Sequence, residues 1–390
     1  MQQALLIILL ILFGLYVLLI LYYRKSWTCI PGFQLQTANY KPQTKITVII
    51  PARNEKENIA ACLDSVCDQT YPKELLEILV VDDHSTDNTA AIVQSYAGKN
   101  VKLICLKDFV QDELNSYKKK AIEVAISQST GELIVCTDAD CFAGPDWLQT
   151  IALFYEEHHP QFIAAPVSIN CSNRFIEIFQ SLDFMTLQGI TGASVYKKIH
   201  SMCNGANLAY TKKAFEAVGG FAGIDNIASG DDMLLMHKIY KQWPDKVMFL
   251  KSKEAIVQTA PVHSTSEFFN QRIRWASKAD KYDDKRIFAV LLLVYLVNVL
   301  MLLLPFAGLF YPEKLSIINY PLSIIELWLL LLLVKTVVEL IFLYPVATFF
   351  GKQKLLWLFP LMQPFHIVYT VIAGWLGKFG SYKWKGRNVK

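Results

Sequence analysis

Two aspartates, Asp138 and Asp140, stand two residues apart just after an apolar run at 132–136. At the end of a strand, side chains with this spacing can point the same way. Two carboxylates fit Mg²⁺ or Mn²⁺, which proteins usually hold with few carboxylates and the phosphates of a substrate. Taken alone, such a motif is more often a pair of solvated loop acids.

A second acidic pair, Asp231 and Asp232, precedes the amphipathic run at 233–240. The run predicts a helix, and acids at its start are favoured by the helix dipole. Plain capping of that helix is therefore one interpretation of this pair.

Cationic and aromatic residues lie on a further predicted helix, which a capping-box pattern opens at 264–267. Gln271, Arg274 and Trp275 follow at i, i+3 and i+4, which places them on one face. Arg272 is expected to point elsewhere. This face is either a cationic and aromatic platform at the mouth of a site or part of a surface helix lying along a membrane.

The elements that position these residues alternate between strand and helix from residue 45 onward. Uninterrupted apolar runs separated by helical segments indicate an α/β fold with a mostly parallel sheet covered on both faces. Strands are predicted at 46–50, 77–82, 101–106 and 132–136, and helices up to about 69, at 87–97 and at 115–129.

Ligands of such sheets bind at the carboxyl ends of the strands. The chain has neither GxGxxG nor GxxxxGK[ST], so dinucleotide and P-loop sites lack their motifs. Polar residues follow three of the strands, namely Pro51, Arg53 and Glu55, then Asp82 and Asp83, then Asp138 and Asp140.

Composition separates this domain from the two ends of the chain. Of the 390 residues, 53% are hydrophobic and 18% charged, whereas soluble proteins carry about 25% charged residues. The apolar excess gathers near both ends, which excludes a wholly soluble enzyme and a purely membrane-embedded bundle.

The net charge of +4 does not favour a nucleic-acid partner, and the basic tail at 378–390 suits an anionic membrane surface. The eight cysteines form no CxxC pair and predict free thiols in a reducing compartment.

Four apolar runs are long enough to meet a membrane, at 4–22, 287–310, 321–344 and 355–377. The first has no charge and is followed by aromatic and cationic residues, which places the N-terminus outside and residue 25 onward in the cytosol. Four full crossings would leave the basic tail outside, although basic segments next to membrane spans usually lie on the cytosolic side. We therefore interpret 355–377 as re-entrant or interfacial, and four true spans are the alternative.

Lys335 and Glu339 lie four residues apart inside the third apolar run, so they can pair on one helix face. They form either a self-neutralising pair facing other helices or a polar lining for a lipid headgroup or acceptor.

Five ordered segments, PARNE, VVDDHS, TDAD, GDDxxL and QRIRW, resemble the signature of membrane-anchored family 2 glycosyltransferases. The last resembles the (Q/R)xxRW motif of ceramide glucosyltransferase, hyaluronan synthase and cellulose synthase relatives. The resemblance implies a nucleotide-sugar-binding GT-A domain. It divides the chain into a transmembrane anchor at 1–25, a cytosolic transferase domain at 45–285, a membrane region at 286–377 and a basic cytosolic tail at 378–390.

The resemblance also implies roles for single residues. Asp232 matches the catalytic aspartate that activates the acceptor hydroxyl, and Asp231 replaces a commoner glutamate. Lys118, with Lys119 as the second choice, resembles a lysine that reaches the diphosphate. The remaining site residues are Pro51, Arg53, Glu55, Asp82 and Asp83 for the nucleoside, Asp138 and Asp140 for Mg²⁺ or Mn²⁺ and the diphosphate, and Gln271, Arg272, Arg274 and Trp275 for the leaving group and the acceptor.

The implied activity is an inverting transfer of one sugar from a nucleotide-diphosphate sugar, such as a UDP-hexose, to a lipid hydroxyl at the cytosolic membrane face. A processive polysaccharide synthase is the alternative within the family, although three or four apolar segments are few for a polymer channel. A non-catalytic scaffold or transport subunit is the alternative outside it. The sequence leaves the sugar, the lipid and the oligomeric state open.

Overall fold

The computed structural model describes residues 2–35, 40–110, 114–199, 202–225, 227, 230–277, 285–310, 315–317, 320–380, 382–384 and 387–389. Ser229 before the acidic pair, Lys278 and Lys281 before the apolar run at 287–310, the short segment at 311–312 after that run, and residues 381, 385, 386 and 390 of the predicted basic tail lie outside these ranges. The helices are α1 Gln2–Cys29, α2 Ile59–Cys67, α3 Thr89–Gln94, α4 Tyr117–Gln128, α5 Trp147–His158, α6 Phe175–Lys197, α7 Lys212–Ala217, α8 Met233–Gln242, α9 Thr265–Ala276, α10 Lys285–Phe310, α11 Ile324–Phe350 and α12 Phe359–Phe379.

The strands are short and lie mostly between the helices of the middle of the chain. They are β1 Ile46–Ala52, β2 Leu76–Asp82, β3 Val101–Cys105, β4 Leu133–Cys136, β5 Cys141–Ala143, β6 Phe162–Ala164, β7 Val167–Ile169, β8 Leu208–Thr211, β9 Val247–Phe249, β10 Val257–Thr259, β11 Leu315–Ile317, β12 Tyr320–Leu322, β13 Tyr382–Trp384 and β14 Arg387–Val389.

The chain forms two compact units, which we call the sheet unit and the helical unit. The sheet unit comprises 30–171 and 190–261, and the helical unit comprises 1–29, 172–189 and 262–390. The predicted transferase domain at 45–285 therefore falls mainly in the sheet unit, while its segments 172–189 and 262–285 belong to the helical unit.

A seven-stranded sheet in the order β3-β2-β1-β4-β8-β6-β9 forms the core of the sheet unit. The first four strands are parallel, and β8 runs antiparallel to both β4 and β6. Ile46, Val48, Ile49 and Ile50 of β1 are completely buried, as expected for a strand covered on both faces. The four predicted strands and their parallel order are confirmed. A smaller sheet, β5-β10-β7, completes the unit.

In the helical unit, α1 and α10 both pack against α11, and α12 packs against α9 and α10. Three helices of the described chain are long and apolar enough to cross a membrane, and large side chains such as Leu303 and Leu361 are exposed on them. These helices are Leu6–Cys29, Lys285–Phe310 and Gln353–Phe379.

The apolar run at 355–377, which we interpret as re-entrant or interfacial, thus lies within one of the three candidate spans, Gln353–Phe379. Its Pro360 stands in the first turn of α12, where a missing N–H leaves no hydrogen bond unmade, so proline does not break the helix there. The topology relative to a membrane stays a prediction.

Lys335 and Glu339 form the pair that their spacing predicts, with 2.7 Å between Nζ and Oε1. Both residues are buried on α11. Gln363 of α12 accepts from Lys335 Nζ at 2.8 Å and donates to Glu339 Oε2 at 2.5 Å, and Tyr16 of α1 also donates to Glu339. The two charges therefore neutralise each other against neighbouring helices.

Candidate active site

The ends of β1 and β2 are joined by the residues that we assign to the nucleoside. The backbone N–H of Asp83 donates to the Ala52 carbonyl at 2.8 Å. Arg53 Nη1 donates to the Asp83 carbonyl at 2.8 Å and lies 3.7 Å from its Oδ1. His84 Nδ1 lies 3.0 Å from the same Oδ1. Parallel pairing brings Arg53 and Asp83 together because β1 and β2 end at the same level.

Asp82 and Glu55 are both buried behind this contact. Asp82 Oδ2 accepts from the Ser85 N–H at 3.3 Å, whereas Oδ1 is buried and has no hydrogen-bond partner among the described residues. A buried acceptor without a donor is costly, so this oxygen suits a ligand N–H or O–H. Glu55 instead accepts from Asn58 Nδ2 at 3.0 Å, and Pro51 pairs with Val81 inside the sheet.

Lys118, in the first turn of α4, connects acids from two distant parts of the chain. Its Nζ lies 2.7 Å from Asp138 Oδ1, after β4, and 3.3 Å from Asp231 Oδ2, before α8. Burial alone would lower the pKa of Lys118, but the carboxylates of Asp138, Asp231 and Asp232 outweigh it and raise that pKa well above its usual value. A fixed cation between carboxylates suits a site that receives a diphosphate.

Asp232 begins α8 and lies beside this cluster. Its Oδ1 accepts from the Met233 N–H at 2.7 Å, and its Oδ2 accepts from the Gly205 N–H at 3.0 Å. The predicted capping of α8 is thus present. A carboxylate has about four lone-pair sites, so two N–H donors leave acceptor capacity for a substrate hydroxyl.

The metal assigned to Asp138 and Asp140 would need ligands beyond the protein. The Asp138 side chain is 35% exposed, and Asp140 is half-buried with Oδ1 3.5 Å from the Cys141 thiol. No group of three acidic, histidine or cysteine side chains suited to a metal occurs in the described part of the chain. The two carboxylates fit a Mg²⁺ or Mn²⁺ ion whose coordination is completed by phosphate oxygens.

Gln271, Arg272, Arg274 and Trp275 lie on α9, in the helical unit. The predicted capping box of this helix is present. Arg272 does not lie apart from the face of Gln271 and Trp275 as we expected, because its guanidinium group contacts both side chains. Its Nη1 donates to Gln271 Oε1 at 2.8 Å, and its guanidinium carbon lies 4.2 Å from the centre of the Trp275 ring.

Sequence reasoning gave Asp183 no role, and it left the segment at 204–207, which contains Gly205, either as a simple turn or as a resemblance to the acceptor-side loop of the family. Gly205 lies in the segment NGAN, whose turn-like composition was the available signal. Asn207 of that segment is completely buried and donates to the carbonyls of Pro166 and Ala255 at 2.7 Å, so it fixes the loop that presents Gly205. Asp183 stands in an apolar stretch of α6 with no motif around it.

Replacing Gly205 with alanine should reduce about tenfold the sugar transfer that the family resemblance implies, since small misplacements of reacting groups are costly. A Cβ there would lie 3.2 Å from Lys118 Nζ and 3.4 Å from Asp231 Oδ2, so the lysine must shift. Steady-state rates measure the effect, and Gly98→Ala is the control because its Cβ would meet nothing within 4 Å. Equal rates in both variants would contradict this placement.

The sheet order and the charged strand ends define the sheet unit as a GT-A-like α/β domain. A solved structure of mannosyltransferase PcManGT from Pyrobaculum calidifontis, in complex with GDP-Man and Mn²⁺, shares this fold. It superposes with a TM-score of 0.56 over 97% of this chain and 99% of its own, at 19% sequence identity.

Residues 47–219 match the model of the family described as Glycosyl transferase family 2. The poly(ribitol-phosphate) beta-N-acetylglucosaminyltransferase TarS of Staphylococcus aureus is 38% identical over 117 residues, which are 30% of this chain and 19% of TarS. The beta-monoglucosyldiacylglycerol synthase of Nostoc sp. is 25% identical over 237 residues, which are 59% of this chain and 48% of the synthase. The chain thus spans less than two thirds of either relative.

Proposed function

We propose that this protein is a metal-dependent, inverting family 2 glycosyltransferase that moves one sugar from a nucleotide-diphosphate sugar to the hydroxyl of a membrane lipid. The observation that carries the proposal is the cluster of Lys118, Asp138 and Asp231 with Asp232 beside it, at the carboxyl end of the parallel strands. The family match over 47–219 supports the same reaction class.

The donor would bind across the ends of β1, β2 and β4. Arg53, Asp82 and Asp83 would hold the nucleoside, and Asp82 Oδ1 is the buried acceptor that a ligand donor would satisfy. Lys118 would contact the diphosphate. Asp138 and Asp140 would hold a Mg²⁺ or Mn²⁺ ion, which would supply charge stabilisation for the departing diphosphate.

Asp232 would act as the general base. An alcohol is a poor nucleophile until its proton is removed, so a carboxylate within hydrogen-bond reach of the hydroxyl raises its reactivity. The two backbone N–H groups on Asp232 fix its orientation without occupying all of its lone pairs. Direct displacement then inverts the anomeric carbon, so that an α-linked donor gives a β-glycoside.

A lipid acceptor is favoured by the three helices that are apolar enough to cross a membrane. They would keep the domain at a surface where lipid hydroxyls are concentrated. The similarity to a relative named as a glucosyldiacylglycerol synthase supports this acceptor class. The similarity to TarS, named as a poly(ribitol-phosphate) beta-N-acetylglucosaminyltransferase, keeps a polymer acceptor as the second candidate.

The proposal is tested by nucleotide diphosphate release from the purified protein in lipid nanodiscs. A panel of UDP- and GDP-sugars is offered with Mg²⁺ or Mn²⁺, with and without a membrane lipid extract. Release that requires both lipid and metal, with one sugar per lipid by mass spectrometry, is the expected result. A ladder of products would replace single transfer with processive synthesis, and failure to bind any nucleotide would indicate a non-catalytic membrane protein.

A further inference from the structure

Asp183 is a buried carboxylate on α6 that receives three partners from two other helices of the helical unit. Its side chain is 4% exposed. Arg272 of α9 donates to Oδ2 from Nε at 3.0 Å and places Nη2 2.7 Å from the same oxygen. Tyr369 of α12 donates to Oδ1 at 2.5 Å, and His366 Nε2 lies 3.9 Å from Oδ1.

Arg272, which binds Asp183, also contacts three side chains of its own helix α9. Its guanidinium carbon lies 4.2 Å from the centre of the Trp275 ring and 4.7 Å from that of Phe268, and its Nη1 bonds Gln271. Phe184, the residue after Asp183, has its ring centre 6.0 Å from that of Trp275. Asp183 therefore contacts Arg272, and its neighbour Phe184 contacts Trp275.

We propose that Asp183 is a positioning residue for α9, which fixes Arg272 and, through it, the side chains of Gln271 and Trp275. This inference rests on the proposed function together with the expectation, implied by the family resemblance, that Gln271 and Trp275 contact the leaving group or the acceptor. Arg272 is then also a positioning residue, because its charged group is buried against Asp183.

The chemistry of the pair supports a positioning role. Replacing a buried ion pair with apolar residues is often neutral or stabilising, so burial of charge is weak evidence for a stabilising role. Arginine combines a planar group that stacks on aromatic rings with donors in a fixed fork, which lysine does not offer. Arg272 uses both properties, since it binds Asp183 along its edge and lies over Trp275.

A small cavity next to Asp183, with both apolar and polar side chains in its lining, makes an isosteric substitution practicable. The cavity has a volume of about 30 Å³ and is lined by Asp183, Thr186, Glu339, Gln363 and His366, among others. Such a volume is sufficient for a water molecule. Water can therefore hydrate the amide of Asp183→Asn, and we expect this variant to fold.

The test is ¹⁹F NMR of the full chain labelled with 5-fluorotryptophan, in lipid nanodiscs. The resonance that Trp275→Phe removes belongs to Trp275. Asp183→Asn should shift and broaden that resonance and leave the other tryptophan signals in place. Thr186→Val is the matched control, because Thr186 lines the same cavity and its hydroxyl donates to the Leu182 carbonyl of its own helix. It should leave the Trp275 signal unchanged.

Kinetics provide the second readout. In Asp183→Asn, kcat should fall about 10- to 100-fold, as expected for misplaced substrate-contacting groups, with the KM of the donor unchanged. Arg272→Lys should reproduce both effects, and it replaces Asp183→Asn if that variant does not fold. An unchanged Trp275 resonance in these variants overturns the inference whatever their rates. Absence of transfer in the unaltered protein overturns the proposed function instead, and the resonance test remains valid.

Discussion

Replacing Asp232 with asparagine should lower sugar transfer by about 10²- to 10⁴-fold, the range that a positioned general base contributes. An amide cannot take the proton of the acceptor hydroxyl. The fold should tolerate the change, because asparagine is as good an N-cap as aspartate and can still accept from the Met233 N–H. The Met233 and Gly205 N–H groups bind different carboxylate oxygens, and asparagine replaces one of these with an NH2 group that cannot accept, so a small loss of stability, about 1 kcal/mol, is expected.

This prediction separates catalysis from binding. Initial rates of nucleotide diphosphate release give the loss, and titration with the nucleotide diphosphate and Mn²⁺ should show nearly unchanged affinity. Asp245→Asn is the control, since that side chain is 81% exposed and pairs with Lys198 in the sheet unit. Full activity of Asp232→Asn would remove the base assignment, and loss of nucleotide binding together with activity would place Asp232 in the donor site instead.

Replacing Lys118 with methionine should weaken nucleotide diphosphate binding about 100-fold, because truncating one partner of a close charge pair typically costs 2–5 kcal/mol. Two effects act in the same direction. The diphosphate loses its cation, and the carboxylates of Asp138 and Asp231 lose the group that lies 2.7 and 3.3 Å from them. Calorimetric titration with the nucleotide diphosphate measures the loss.

Lys120→Met is the matched control for this variant, because Lys120 lies on the same helix but pairs with Glu123 at the surface, at 2.8 Å. Its affinity for the nucleotide should equal that of the unaltered protein. If the Lys118 variant binds the nucleotide diphosphate with equal affinity, the assignment of Lys118 to the diphosphate is refuted. Lys119 would not take that role, because its Nζ donates to the carbonyls of Ile224 and Ile227 at 2.7 and 2.5 Å.

The pH dependence of donor binding follows from the raised pKa of Lys118. A lysine with a raised pKa stays protonated below that pKa and loses its charge only above it. The unperturbed lysine value is about 10.4, so nucleotide affinity should not decline from neutral pH up to about pH 10 on account of this group. A decline centred near pH 8 that is absent in Lys118→Met would contradict the charge environment described here.

The sequence by itself determined the local elements, and with them the strand ends and helix starts at which the candidate site residues stand. The strands β1 to β4 follow from uninterrupted apolar runs, because a strand buried on both faces needs only a short contiguous segment to specify it. Capping at α8 and α9 follows from residues within one helical turn. The polar residues after each strand could be assigned to one edge of the sheet, because the carboxyl ends of parallel strands meet there.

The tertiary structure alone decided which distant side chains meet. Asp138 and Asp231 share Lys118 although they lie far apart in the chain. The antiparallel pairing of β8 with β4 brings Gly205, which precedes β8 and donates to Asp232, to the carboxyl end of β4, and no local pattern of the short β8 segment specifies that pairing. Arg272 and Asp183 pair because α6 and α9 pack together, although their spacing in the chain predicts no contact. Periodicity records which face of an element is buried, whereas the partner of a buried charge depends on the path of the whole chain.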